Sequence, residues 1–457
     1  MAFKDGGRYR ARVAVDGANS QVKGAPHPAR QIRCGLQDQM LETFPVPATF
    51  FYEETLDPGR LRDALAQVLE DFAPFAGVVR RQGHELFVEC RNSGVAFTAV
   101  ESPAQLREAL EWLDDTRRLG LVDMIDPRAS RSGGAPALKI KITSFRNGGT
   151  CVGACWHHSV GDMQTFMLLV KAWSGAISGQ ALPKPVIVED RDAYFEKNVA
   201  DEAHAIGVRK LGLGETLRFG FYLATRARDR SLIRVYFSPE EIAAMRDAYG
   251  AESGARLSMN DAVTAHMGVL VAERDPIRRT RYLSVTVNCR SRVGLPAELV
   301  GNFLGSVDVP LEPGASAPAM AAEIRRRVDT FAQDHVNLRS GLRFIQENGG
   351  AKHIRRFIPR ALDPMAGNLN TTNWSRFGVC DVTFGGRPPL LFAPIGEAPI
   401  PWVSAISEGF SNQGAVWGAL LPRAIVEALK GPAGRAAIHR FRGQEKLHPL
   451  TDLGWVS

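Results

Sequence analysis

The chain has 457 residues, 45% of them hydrophobic and 23% charged, with a formal net charge of +7. A single core stops growing at roughly 250–300 residues, so two domains are expected, and this ordinary composition excludes a chain dominated by low-complexity disorder. The basic residues are spread along the chain without a dense stripe interleaved with aromatics, which argues against nucleic-acid binding and leaves anionic lipid or a phosphorylated small molecule as suitable partners.

In chain order, the start Met1-Ala2-Phe3-Lys4-Asp5 lacks the apolar segment of a secretory signal. The six cysteines, at 34, 90, 151, 155, 289 and 380, are scattered as in a reduced cytoplasmic protein rather than a disulfide framework. No apolar run approaches the ~18 residues of a membrane span, so a soluble protein is expected. Residues 57–72 read as a helix: Asp57 caps it, Pro58 suits its first position, and Leu61, Leu65, Val68, Leu69 and Phe72 share one face. Strands follow at 76–80 and 85–90. Residues 138–145 alternate, Arg146-Asn147-Gly148-Gly149 signals a hairpin, and a second strand runs from Thr150 to His158.

After Asp162 the period becomes helical, with Met163, Phe166, Met167, Val170 and Trp173 on one stripe. Gly179, Pro183 and Pro185 open a crossover, which places a boundary within residues 180–220. Beyond it, residues 258–274 and 319–336 read as helices, 282–288 and 415–421 as strands, and 377–384 as extended. Two α/β domains are expected, residues 1–205 and 206–457.

Side chains alternate along the strand that ends at His158, so Val152, Ala154, Trp156 and His158 share one face and His157 the other. Ser159-Val160-Gly161 breaks the strand and Asp162 opens a helix. An imidazole with an ordinary pKa of about 6.5 can accept and return a proton within one turnover, which suits a general base. A histidine at a strand end is as often structural, and Asp162 is a good N-cap for the amide of Gln164 or Thr165. His158 and Asp162 have the spacing of helical metal ligands, but the alternation and Gly161 oppose a helix and no third ligand is evident; no metal is expected. The run 157–161 is a G-x-S-x-G elbow with its first glycine replaced by a histidine too bulky for that turn. Cys151 and Cys155 have no second cysteine pair nearby. There is no phosphate-binding loop, and Gly212-Leu213-Gly214 lacks the third glycine of a dinucleotide fingerprint.

The segment His158-Ser159-Val160-Gly161-Asp162 followed by Phe166 and Trp173 resembles the H-x-x-x-D-G block of the BAHD acyltransferases. Their fold is shared with chloramphenicol acetyltransferase and with condensation domains of nonribosomal peptide synthesis. Phe50-Phe51-Tyr52, Pro74-Phe75-Ala76-Gly77, Asn288-Cys289-Arg290-Ser291-Arg292 with Pro296 and Gly301-Asn302, Thr372-Asn373-Trp374-Ser375-Arg376-Phe377, and Asp381-Val382-Thr383-Phe384-Gly385 resemble further family blocks in the same order. The resemblance spans about residues 35–430. Met163 stands where the glycine is usual, the D-F-G-W-G block keeps only Asp381, an aromatic at 384 and Gly385, and the histidine pair is more typical of condensation domains.

The resemblance implies two chloramphenicol-acetyltransferase-like domains, each a mixed sheet with flanking helices, and an active site in a channel at their interface. It implies transfer from acyl-CoA, as co-substrate with no permanently bound cofactor, to a hydroxyl or amine of a small molecule, without a covalent enzyme intermediate. His158 is then the general base and Thr372 and Trp374 lie beside the reacting carbonyl as oxyanion donors. Asp162, Asp381, Arg290 and Gly385 are structural, with Asp381 paired to Arg290 away from the chemistry. A condensation-type transferase fed by a carrier protein, and an inactive scaffold of the same fold, are the alternatives. The acyl group, the acceptor and the oligomeric state are not legible.

Overall fold

The structure, a computed structural model, describes residues 12–13, 19–111, 113, 120–181, 183–200, 206–277, 281–394, 400–445 and 447–452. The leader reading on residues 1–5, and residues 201–205 at the expected domain boundary, lie outside the described residues.

Two mixed sheets carry the fold, each with its own hydrophobic cluster and flanking helices, as expected of two α/β domains. The first sheet runs in the order Arg12–Val13, Val95–Ser102, Leu138–Phe145, Thr150–His157, Pro45–Tyr52 and Leu391–Pro394, with Asn19–Val22 also paired to Val95–Ser102. The second runs Arg230–Phe237, Ala415–Pro422, Val403–Glu408, Asn368–Asn373, Arg281–Asn288 and Leu304–Leu311. One strand crosses between the halves. Leu391–Pro394 comes from the second half of the chain but pairs antiparallel with Pro45–Tyr52, Leu391 opposite Phe51.

The elements around the future site follow from their sequences. Leu138, Ile140 and Ile142 are buried, while Lys139 and Lys141 on the other face reach the carbonyl of Met124 and the carboxylate of Asp123, both at 2.9 Å. Thr150–His157 lies between two partner strands and is buried at every position, which accounts for its unbroken run of apolar and small residues. The helix Met163–Ser178 starts where the Asp162 side chain accepts the Thr165 N–H at 3.0 Å. Its Phe166 stacks on Trp156 at 4.0 Å between centroids, pinning the helix to the strand before it. Asp57 caps Pro58–Val68 through the amide of Gly59, and this helix stops short of Phe72.

Three elements differ from expectation. The helix read over 319–336 is Ala317–Asp329, followed by a single π turn at Phe331–His335. Residues 377–384 are not extended: Gly378 takes φ +68°, a left-handed conformation open to glycine, and a short 3₁₀ turn follows at Val379–Asp381. Leu213–Ala224 is a helix that periodicity did not reveal. None of its residues is buried, and Leu213, Leu217 and Phe221 are more than two-thirds exposed (76%, 77% and 69%).

Candidate active site

The strand Thr150–His157 delivers two adjacent histidines to different environments. His157, its last residue, is fully buried; its Nδ1 accepts the Ser159 N–H at 3.3 Å, and burial pushes its pKa down to about 4. His158 is the first residue past the strand, only partly buried, and it lines a cavity of about 260 Å³ together with Asp162, Thr372 and Trp374. Burial is the largest influence on the His158 ring and draws its pKa below the ordinary 6.5; its own carbonyl, Asp162 and Asn302 oppose that shift. The ring is therefore neutral at neutral pH and able to take up a proton. Its Nδ1 is buried without a hydrogen-bond partner among the described residues.

No hydrogen bond joins the Asp162 carboxylate to that ring among the described residues. Instead, it accepts two bonds from Arg290, from Nη1 at 2.8 Å and Nη2 at 3.0 Å, together with the amides of Thr165 and Phe303. Burial would raise the Asp162 pKa, but the charge and bonds of Arg290 outweigh it and hold the group below the usual carboxylate range. Arg290 is itself buried and also donates to the carbonyls of Leu299 and Gly301. The expected pairing of Asp381 with Arg290 is thus corrected. Asp381 sits on the surface, its side chain 70% exposed, and pairs with Lys171 at 3.0 Å. The turn at Gly378–Asp381, in place of an extended segment, leaves its carboxylate outside the buried cluster.

The turn after His158 has a second brace. Arg191 and Asp38, both buried, pair at 2.8 Å, and Arg191 donates to the carbonyls of Ser159 and Val160 at 2.8 and 2.7 Å. Asn302 donates 2.7 Å bonds to both the Asp38 carboxylate and the His158 carbonyl. Asn302 belongs to a block visible in the sequence. Asp38 and Arg191 do not: neither lies in a motif, and their importance comes from burial alone.

Across the cavity, Thr372 and Trp374 come from the end of the strand Asn368–Asn373 and the residue after it. The indole Nε1–H of Trp374 donates to Thr372 Oγ1 at 3.1 Å. This alters the expectation that both donate to substrate. The indole N–H is engaged by Thr372, and the threonine itself lines the channel. A Cβ at Gly385 would lie 2.3 Å from the Glu54 carboxyl group, the far end of a flexible side chain that would have to shift. Among the described residues, no group of three histidine, cysteine, aspartate or glutamate side chains could hold a metal, and no helix is long and apolar enough to cross a membrane.

A neutral imidazole and a hydroxyl donor facing one narrow channel can deprotonate a nucleophile and stabilise an oxyanion, the needs of acyl transfer. Comparisons with known proteins agree. The family model described as "Transferase family" matches residues 22–395. Vinorine synthase of Rauvolfia serpentina is 25% identical over 395 residues, covering 77% of this chain and 80% of its own length. Putrescine hydroxycinnamoyltransferase 1 of Oryza sativa subsp. japonica is 25% identical over 421 residues, covering 83% and 89%. Among solved structures, F. graminearum TRI101 complexed with ethyl coenzyme A has a TM-score of 0.70 at 13% identity, covering 89% of this chain and 98% of its own. The first condensation domain of the CDA synthetase has a TM-score of 0.57 at 14% identity, covering 89% and 95%.

Proposed function

The chain belongs to the BAHD acyltransferase family, and on that premise we propose that it moves an acyl group from acyl-CoA to a hydroxyl or amine of a small-molecule acceptor, with His158 as general base. The observation that carries this reading is the placement of His158 and Thr372 in the wall of one channel. His158 takes the proton from the acceptor, whose oxygen or nitrogen attacks the thioester carbonyl. The Thr372 hydroxyl donates to the developing oxyanion, held in direction by Trp374. The carbon–sulfur bond then breaks, and His158 returns its proton to the departing thiolate. Asp162 with Arg290, and Asp38 with Arg191, keep the His158 turn fixed against both sheets.

Support for CoA as donor comes from the relatives and from the TRI101 structures with coenzyme A. The likeness to condensation domains is one of fold and gives no support to a carrier-protein donor. A role in specialised metabolism, a cytoplasmic location, and a division of the two domains near residues 205 and 206 complete the reading. The test is an acyl-CoA panel read by thiol release, followed by mass spectrometry of the acylated acceptor. Release of CoA coupled to a mass-shifted acceptor supports it. No release from any acyl-CoA, with transfer only from a carrier-bound thioester, sinks it.

A further inference from the structure

A second cavity, of about 1230 Å³, adjoins the His158 channel and shares Met40, Pro359 and Leu362 with it. Apolar residues such as Phe44, Met124, Phe219, Leu232 and Ile400 form part of its wall. Five arginines also line it, Arg128, Arg131, Arg228, Arg230 and Arg355, against two carboxylates, Glu42 and Asp126.

Both carboxylates are already engaged within the protein. Glu42 accepts from Arg81 at 2.9 Å, Ser130 at 2.7 Å and Arg131 at 3.1 Å; burial would raise its pKa, but these bonds hold it at about 2. Asp126 accepts the Arg128 backbone N–H at 3.0 Å as a cap. Arg128, Arg228 and Arg355 are exposed, and their side chains have no hydrogen-bond or ion-pair partner among the described residues. At Arg355, burial first, and then the positive charges of Arg131 and Arg81, disfavour the charged guanidinium, with Glu42 opposing. An anion placed there would relieve that surplus.

We propose that this cavity holds the acyl acceptor, and that the acceptor is an apolar molecule carrying a carboxylate or phosphate that docks against Arg355 and Arg128. The proposal rests on the acyl-transfer reading and names its substrate class. Both cavities have mainly apolar walls, the His158 channel more so than its neighbour. Amide and hydroxyl side chains set into the channel, among them Gln37, Thr286, Asn288, Ser306 and Asn370, suit the amide-bearing pantetheine arm of the donor. The larger cavity adds exposed arginine side chains to its apolar residues, a combination that suits an amphiphilic anion.

The test measures binding to the full chain by calorimetry, using hydroxynaphthoate, its methyl ester and CoA as probes. Hydroxynaphthoate is expected to bind at least about tenfold more tightly than the ester, as a charge-assisted contact would allow. The Arg128→Gln/Arg355→Gln variant should reduce that preference to about twofold or less while leaving CoA affinity unchanged. Equal binding of acid and ester, or no binding of either, overturns the proposal. Loss of CoA affinity in the variant with the acid preference intact overturns it too and assigns the arginines to the donor phosphates. Because binding is read without turnover, a protein that prefers the acid yet releases CoA from no acyl-CoA refutes the transfer reading and not the anion preference.

Discussion

The Asp162 carboxylate and the Arg290 guanidinium meet end on, in two hydrogen bonds of 2.8 and 3.0 Å from Nη1 and Nη2, both groups buried. Asp162 begins a helix packed on the first sheet, and Arg290 follows a strand of the second, so this pair ties the His158 turn to the other domain. Helix capping and ion pairing use the same carboxylate.

That double use makes asparagine a poor substitute at 162, although asparagine caps helices well. Asp162→Asn leaves Arg290 charged, buried and without its counter-ion, a change that costs about 3–5 kcal/mol. Arg290→Gln should cost a similar amount, and the double variant clearly less than the two together. Denaturant unfolding of the three proteins measures the coupling; additive effects would show that the pair does not act as a unit.

The Trp374–Thr372 contact predicts an order of damage. Thr372→Val should lower kcat by ~10²–10³ with little change in the acyl-CoA KM, as for loss of an oxyanion donor. Trp374→Phe keeps an aromatic ring and loses only the indole N–H, so it should cost much less, about tenfold. Thr372→Ser should retain most activity. Equal losses in the valine and phenylalanine variants would mean that the indole donates to substrate directly.

The lowered pKa of His158 sets the pH profile. The ring is a base only when neutral, so kcat/KM should hold through neutral pH and fall on the acid side, with a midpoint below the ordinary 6.5. An acid limb centred above that value would contradict a ring that is neutral at neutral pH.

His157 contributes to stability rather than chemistry. Its folded pKa of about 4 lies below the ordinary value of 6.5, so the unfolded chain binds the extra proton between those two pH values. Stability from this group is present above pH 6.5 and is lost as pH falls towards 4, by up to about 3 kcal/mol. The advantage of the native protein over His157→Asn should therefore shrink across that window. An advantage that is constant with pH would show that His157 is already charged in the folded state.

Much of this site could be read from the sequence because its signals are local. The alternation before His158, the break at Gly161 and the cap at Asp162 each depend on neighbours within a few residues, and each is found in place. Contacts between distant segments were not legible. The resemblance paired Arg290 with Asp381, away from the chemistry, whereas its partner is Asp162, 128 residues away, and nothing local in the sequence distinguishes the two carboxylates. Arg191 is one of 56 basic residues, with nothing local to mark it as buried. The helix Leu213–Ala224 was not read from the sequence, and it buries none of its residues, with Leu213, Leu217 and Phe221 facing outward. The strand Leu391–Pro394 owes its place in the first sheet to a partner more than three hundred residues away.

The central claim is that His158, and not its buried neighbour, moves the proton. Single-turnover release of CoA from bound acyl-CoA in the presence of acceptor tests it most directly. In His158→Ala, the rate should fall by ~10²–10⁴ while acyl-CoA affinity and melting temperature stay near those of the native protein. Near-normal CoA release by His158→Ala, with transfer to the acceptor intact, would contradict the account.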